Sequence, residues 1–333
     1  MVARWGFLGT GRVTNRMTQA IIQSETSVLK AIASRTDLGA SQWVERQQLA
    51  PAIAPIQHYG SYRSLIDSAE VDWIYNALPP SYHFEWSAAA LRAGKHVLCE
   101  KPLCLDAKQA IALQAIAKQT NRRLVHATAF PYHPRSDAAR HIIRSGEIGE
   151  VRRVIAAFTF ADAFRRENEH RTNPELGGGC LLDLGWYCVA ATMWLTGLKV
   201  VRLQAVGSKR AGVWESVQAM ATLSNGAVAH WDCGFDTASR KWIEVAGTEG
   251  SWICDDFIRP WDNSKPRFWV HGHAGKARSE TIGENFFQEV AMIDACCNSS
   301  DSFIENQLDE AVEIHRVLDQ MTIILTRCTK EDS

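Results

Sequence analysis

The first residues in this chain that could do chemistry are Gly9-Thr10-Gly11-Arg12-Val13-Thr14, which lie between a strand-like apolar run, Trp5–Gly9, and an amphipathic helical run, Val13–Gln23. A glycine-rich turn in that setting brings backbone N–H groups and the positive end of a helix dipole to a pyrophosphate. Gly9 permits the tight turn and Gly11 the close approach, with Thr10, Arg12 and Val13 completing the cradle. Thr14 replaces the third glycine and is expected to push the helix slightly away from the sheet. At the end of the second strand, Ala33-Ser34-Arg35 puts a hydroxyl and a guanidinium where an acidic residue would hold ribose hydroxyls. Serine can donate to a 2′-phosphate and arginine can pair with it, so the expected cofactor is NADP, with NAD as the lesser alternative. The bland alternative is a solvated surface arginine at Arg35.

Hydride transfer at a C–OH/C=O centre needs a group that handles the hydroxyl proton and a positive group that stabilises oxyanion character. Lys101 follows the strand His96–Cys99, at the sheet edge where ligands bind in parallel α/β folds. Pro102 biases it towards an extended backbone. Asp183 and Tyr187 are four residues apart, neighbours on one face of a helix expected over Leu181–Thr196. Tyr187 could exchange a proton with substrate or pack in the core. Asp183 could hold substrate hydroxyls or cap the helix start. Arg171 could sit at the pocket rim or be a surface charge.

The elements that must position these residues alternate in the first third. Strands are expected at Trp5–Gly9, Ser27–Ala33, Val71–Ala77, His96–Cys99 and Leu124–Ala127, with helices at Val13–Gln23, Leu38–Gln48, His83–Ala93 and Ala107–Thr120. That alternation means a doubly wound parallel sheet of Rossmann type, an α/β domain over residues 1–126. From residue 127 to 333 the pattern becomes α+β on a large, mostly antiparallel open sheet. It has a helix at Pro134–Ser145, a long strand at Val151–Phe160, and strands at Ser216–Leu223, Ala227–Cys233, Trp242–Ala246 and Ser251–Cys254. Turns at Asn225-Gly226 and Glu249-Gly250 join two strand pairs, and helices at Phe286–Asn298 and Leu308–Thr326 follow.

Bulk properties exclude other classes. The 333 residues carry a net charge of −1 and 22% charged residues, with no basic stripe for nucleic acid. No apolar run is long enough for a membrane span. The nine cysteines have no zinc-like spacing, and no metal is expected; with no leader-like segment, their odd count fits a reducing cytoplasm.

Gly94-Lys95-His96-Val97-Leu98-Cys99-Glu100-Lys101-Pro102-Leu103 resembles the signature of the Gfo/Idh/MocA oxidoreductase family. So, in order and spacing, do Asn76-Ala77-Leu78-Pro79 with His83, Ile143 to Val151, and Pro174-Glu175-Leu176-Gly177-Gly178-Gly179 leading to Asp183-Leu184-Gly185-Trp186-Tyr187. The resemblance implies catalysis by Lys101, Asp183 and Tyr187, and substrate contacts from Lys101, Arg171, Asp183 and Tyr187. It implies cofactor contacts from Leu78, Pro79, Glu100 and Lys101 beside the glycine loop. His83 either touches the cofactor or caps its helix. Tyr187 stands where most members carry histidine, which is similar to the branch of glucose–fructose oxidoreductase, NADP-dependent xylose dehydrogenase and dimeric dihydrodiol dehydrogenase. That branch implies a sugar or polyol substrate, oxidised at an aldose C1 or formed from the matching carbonyl. The alternatives are a trans-dihydrodiol dehydrogenase and a silent NADP-binding regulator. The chain departs from the branch at Pro131, where many members have arginine. A homodimer or homotetramer through the C-terminal sheet is also implied.

Overall fold

The computed structural model describes residues 2–47, 55–161, 163–165, 169–260 and 265–331. The chain divides into two compact units, one of Met1–Thr128 with Phe287–Glu313 and one of Ala129–Phe286 with Ile314–Ser333.

In the first unit, six strands form one parallel sheet: β1 (Ala3–Leu8), β2 (Ser27–Ala33), β3 (Gln57–Tyr59), β4 (Trp73–Asn76), β5 (His96–Glu100) and β6 (Leu124–Ala127), in the order β3-β2-β1-β4-β5-β6. Five helices alternate with them: α1 (Arg12–Gln23), α2 (Asp37–Gln47), α3 (Tyr62–Ile66), α4 (His83–Arg92) and α5 (Ala107–Thr120). All four residues of β4 are buried, as expected of a parallel strand covered on both faces. The strand order reverses beside β1, the switch point outside which such sheets bind ligands. The glycine loop, the Ala77–Pro79 loop and Lys101 directly follow β1, β4 and β5, so all three start at that edge.

A single boundary near residue 126 does not describe this unit, because a late segment packs into it. Helix α8 (Gln288–Asn298) is tied down by Arg16 Nε to Glu289 Oε1 at 2.5 Å and by Ser24 Oγ to Asp294 Oδ1 at 2.6 Å. Leu308, Ala311 and Val312 of α9 (Asp301–Glu331) join its core.

The second unit carries α6 (Pro134–Arg144), α7 (Trp186–Thr196) and an eight-stranded sheet. Its strands are β7 (Val151–Thr159), β8 (Val200–Arg210), β9 (Val213–Leu223), β10 (Val228–Gly234), β11 (Arg240–Gly247), β12 (Gly250–Cys254), β13 (Arg267–Gly272) and β14 (Ala277–Thr281). They run β14-β13-β12-β11-β7-β10-β9-β8, and every neighbouring pair is antiparallel except β7 with β10. One face packs against α6, α7 and the end of α9, where Val189, Val217, Phe268 and Leu318 share a core. Pro174–Thr196 is apolar enough for a bilayer by composition, yet its apolar window is 67% buried, and α7 is apolar all round because it is a core helix. The other face carries a row in cross-strand register, Gln204, Met220, His230, Ile155, Glu244 and Ile253, of which Gln204, Met220 and His230 are exposed.

Candidate active site

Gly9 sits at φ +97°, where a side chain would be strained and would come within 3.1 Å of Leu78 Cδ2. Its N–H donates to Ala33 O at 2.9 Å, which carries the parallel pairing of β1 with β2 one residue beyond β1. Gly11 is the N-cap of α1, and a Cβ there would meet nothing within 4 Å, so the space in front of the helix is open. No acidic residue opposes the helix dipole in the first turn of α1. Thr14 is fully buried; its hydroxyl donates to Gly11 O at 2.6 Å and accepts from Trp43 Nε1 at 2.9 Å. Thr10, Arg12 and Arg46 line a cavity of about 430 Å³ beside this loop. Arg46 carries no motif of its own; its one sequence signal is a basic residue in the last turn of α2. Ser34 is half-buried with its N–H on Tyr59 O, and Arg35 is exposed. The first acid after β2 is Asp37, which faces His58 at 3.6 Å. Open space at Gly11, a helix start with no acid in its first turn, and Arg12 and Arg46 on the cavity wall fit a dinucleotide phosphate.

Lys101 is half-buried after β5, and its peptide bond to Pro102 is cis. Glu100 before it is held at both oxygens, with Tyr75 Oη donating to Oε1 at 2.6 Å and the Lys101 N–H donating to Oε2 at 3.1 Å. Tyr75 is fully buried, and burial first, then the Glu100 carboxylate, pushes its phenol well above the ordinary tyrosine range. It therefore stays a donor. Asn76, also fully buried, donates to His83 O and Ser87 Oγ and accepts from the Leu78 N–H at 3.3 Å, which shapes the Leu78–Pro79 loop.

The His83 ring lies between two backbone carbonyls. It is 1% exposed, with Nδ1 2.7 Å from Pro102 O and Nε2 2.7 Å from Leu78 O. No cysteine nucleophile competes with Lys101 here, because burial pushes the neighbouring Cys99 thiol up to about 12.

In the second unit, Asp183 lies in a π-helical turn, Leu181–Gly185, and Tyr187 in the first turn of α7. Such turns inside helices are frequent at functional sites. Gly177, Gly178 and Gly179 let the preceding loop fold back on itself, since a Cβ at Gly178 would lie 2.5 Å from Arg171 O. That brings Arg171 Nε to Asp183 Oδ2 at 2.5 Å, while its Nη1 donates to Glu169 Oε1 at 2.9 Å. The Asp183 charge first, and then Glu169, raise the Arg171 guanidinium above its ordinary range against the cost of burial. Of the readings open for Arg171, a lone surface charge is excluded: it bridges two carboxylates. Glu169 had no signal in the sequence beyond its charge. Tyr187 is half-buried, its ring edge-on to Phe158 at 5.5 Å and to Trp186 at 5.2 Å.

Comparison with known proteins agrees with both halves. The oxidoreductase family profile with an NAD-binding Rossmann fold matches residues 3–128, and the GFO/IDH/MocA C-terminal domain profile matches residues 137–253. The chain is 33% identical over 260 residues to a dTDP-3,4-didehydro-2,6-dideoxy-alpha-D-glucose 3-reductase of Saccharopolyspora spinosa, covering 77% of this chain and 76% of that one. It is 30% identical to D-xylose 1-dehydrogenase (NADP(+)) 2 of Haloferax volcanii, covering 74% of each. The fold is that of KijD10, a 3-ketoreductase from Actinomadura kijaniata solved with NADP and TDP-benzene, at a TM-score of 0.86, 24% identity and 98% of both chains. The chain belongs to the Gfo/Idh/MocA family and is an NAD(P)-dependent oxidoreductase.

Proposed function

We propose that the enzyme transfers a hydride between NADP(H) and a sugar or polyol, oxidising an aldose at C1 or reducing the matching carbonyl. The observation that carries this reading is Lys101, fixed at the ligand-binding edge of the sheet that also presents the open glycine loop. Lys101 supplies the positive charge for oxyanion character, and Tyr187 exchanges the hydroxyl proton. Asp183, oriented by Arg171, holds substrate hydroxyls. Ser34 and Arg35 take the 2′-phosphate, which favours NADP over NAD. The nicotinamide, when bound, supplies the hydride acceptor or donor.

Initial rates over a panel of aldoses, polyols and trans-dihydrodiols with NADP+, and of 3-keto sugars with NADPH, test this. Turnover of sugars or polyols is the expected result, and turnover confined to dihydrodiols would overturn the substrate class. A second reading, a sugar-nucleotide ketoreductase, is favoured by the similarity to the Saccharopolyspora spinosa enzyme; it requires that dTDP compete with substrate.

The open sheet face, with Val206 62% and Met220 43% exposed, is the surface we assign to pairing with a second copy. Light scattering should then give at least a dimer, and a monomer would reject the assignment. The eight described cysteines form no disulfide, which supports a reducing compartment such as the cytoplasm.

A further inference from the structure

We infer that Tyr75 and His83 are positioning residues that clamp Lys101 from its two neighbours in the chain, Tyr75 through the Glu100 carboxylate and His83 through the Pro102 carbonyl. The inference rests on the catalytic role proposed for Lys101. Lysine is a point charge on a flexible four-carbon stem, so its reach is defined only as well as the backbone that bears it. Here that backbone is held on both sides. The Lys101 N–H is bound to Glu100 Oε2, and Glu100 Oε1 is bound in turn by Tyr75 Oη. Tyr75 cannot drift, because its ring is wholly buried and packs edge-on against Phe7 at 5.1 Å. On the far side, the Pro102 carbonyl lies 2.7 Å from His83 Nδ1.

The His83 ring also meets a second segment. Its Nε2 lies 2.7 Å from Leu78 O, so one buried ring is packed between the Lys101 turn and the loop after β4, its N–H donating to a carbonyl according to the tautomer. Asn76 completes the bridge, since it binds the backbone of both Leu78 and His83. A shift of the Leu78–Pro79 loop is therefore transmitted to Lys101 through a single side chain. Side chains that hold the backbone on either side of a reacting group set how precisely that group is held.

The test is competitive acetylation of the full chain by acetic anhydride, read lysine by lysine by peptide mass spectrometry. Lys95 serves as the internal reference; it lies in the same unit, where its Nζ donates to Ser68 O and Val71 O. Tyr75→Phe deletes only one oxygen and keeps the ring, and His83→Gln tests the other side of the clamp independently. Each is expected to speed Lys101 labelling relative to Lys95 by about threefold or more, because a released turn exposes the stem. In Tyr75→Phe, which leaves the Leu78–Pro79 loop and its His83 contact intact, kcat should fall by about tenfold, with KM and NADP+ affinity held within about threefold, the split expected when only positioning is lost. A Lys101/Lys95 ratio below about threefold in both variants overturns the clamp. Native turnover by Lys101→Ala would instead overturn the catalytic role, and the labelling result would still report on the clamp.

Discussion

Replacing Arg171 by alanine should unfasten two carboxylates at once. Arg171 is the shared partner of Asp183 and Glu169, whose side chains are only 12% and 5% exposed. Removing one member of a buried pair costs about 3–5 kcal/mol, because a charge is left without compensation. A quarter of the Arg171 side chain reaches solvent, at 25%, so the lower end applies, about 3 kcal/mol. For a unit of this size that corresponds to a Tm lowered by about 6–12 °C. Thermal unfolding followed by tryptophan fluorescence measures it. Arg152→Ala is the internal control: its pair with Glu150 is 50% and 53% exposed, and it should shift Tm by no more than an exposed pair does, under about 1 kcal/mol. Arg171→Lys keeps the charge but not the two-pronged reach, and should recover about half of the loss. A Tm for Arg171→Ala that matches Arg152→Ala would refute the reasoning. It would mean that other partners, His170 at 2.9 Å from Glu169 Oε1 among them, or water already compensate the two carboxylates in the native protein.

Three further outcomes are expected. Arg35→Asp should move the ratio of kcat/KM for NADP+ over NAD+ by about tenfold to a hundredfold towards NAD+, as the loss of a charge-assisted phosphate contact requires; equal use of both cofactors by the wild type would reject the assignment. Tyr187→Phe should lose most of kcat, on the order of a hundredfold, with cofactor affinity unchanged because the ring still packs on Phe158 and Trp186, whereas Tyr187→His should keep partial activity with a pH profile centred near about 6.5. Burial, and then Arg122 and Arg123, push the His96 imidazole down to about 4. The unfolded chain therefore binds that proton first, and His96 makes stability fall as pH drops from about 6.5 towards 4. His96→Gln should narrow the gap between Tm at pH 7 and at pH 4.5, and an unchanged gap would show that His96 does not contribute.

Much of this fold is legible because local chemistry and tertiary demand agree. The bounds of α5, Ala107–Thr120, are readable from Asp106, whose side chain accepts the Gln109 N–H at 2.7 Å as a true N-cap; the helix ends at Asn121 in the left-handed conformation. Strands β2 and β6 likewise match their apolar runs. Strand β8 does not announce itself, because along Val200–Arg210 only Ala205 is buried and an edge strand without a buried face has no two-residue period. The edge strands β3 and β14 are illegible for the same reason. The helix expected over Leu181–Thr196 begins as a π-helical turn, which no local propensity encodes.

The site divides along similar lines. The glycine loop and Lys101 are legible because each is a local motif. The partners of Glu100 and His83 are not, because Tyr75 and Pro102 meet them only in the fold. His83 is read only as a polar residue near a cofactor loop, because the backbone carbonyls of Leu78 and Pro102 that its ring nitrogens approach are set by the fold.

The role proposed for Lys101 is to act on the reacting oxygen rather than merely to bind cofactor. It is tested most directly by turnover and NADP+ affinity measured side by side in wild type and Lys101→Ala, with the best substrate of the sugar and polyol panel. NADP+ affinity should stay within a few-fold of wild type and kcat should fall on the order of a hundredfold or more, the effect of removing one oxyanion-stabilising donor. Near-native kcat in Lys101→Ala would contradict it.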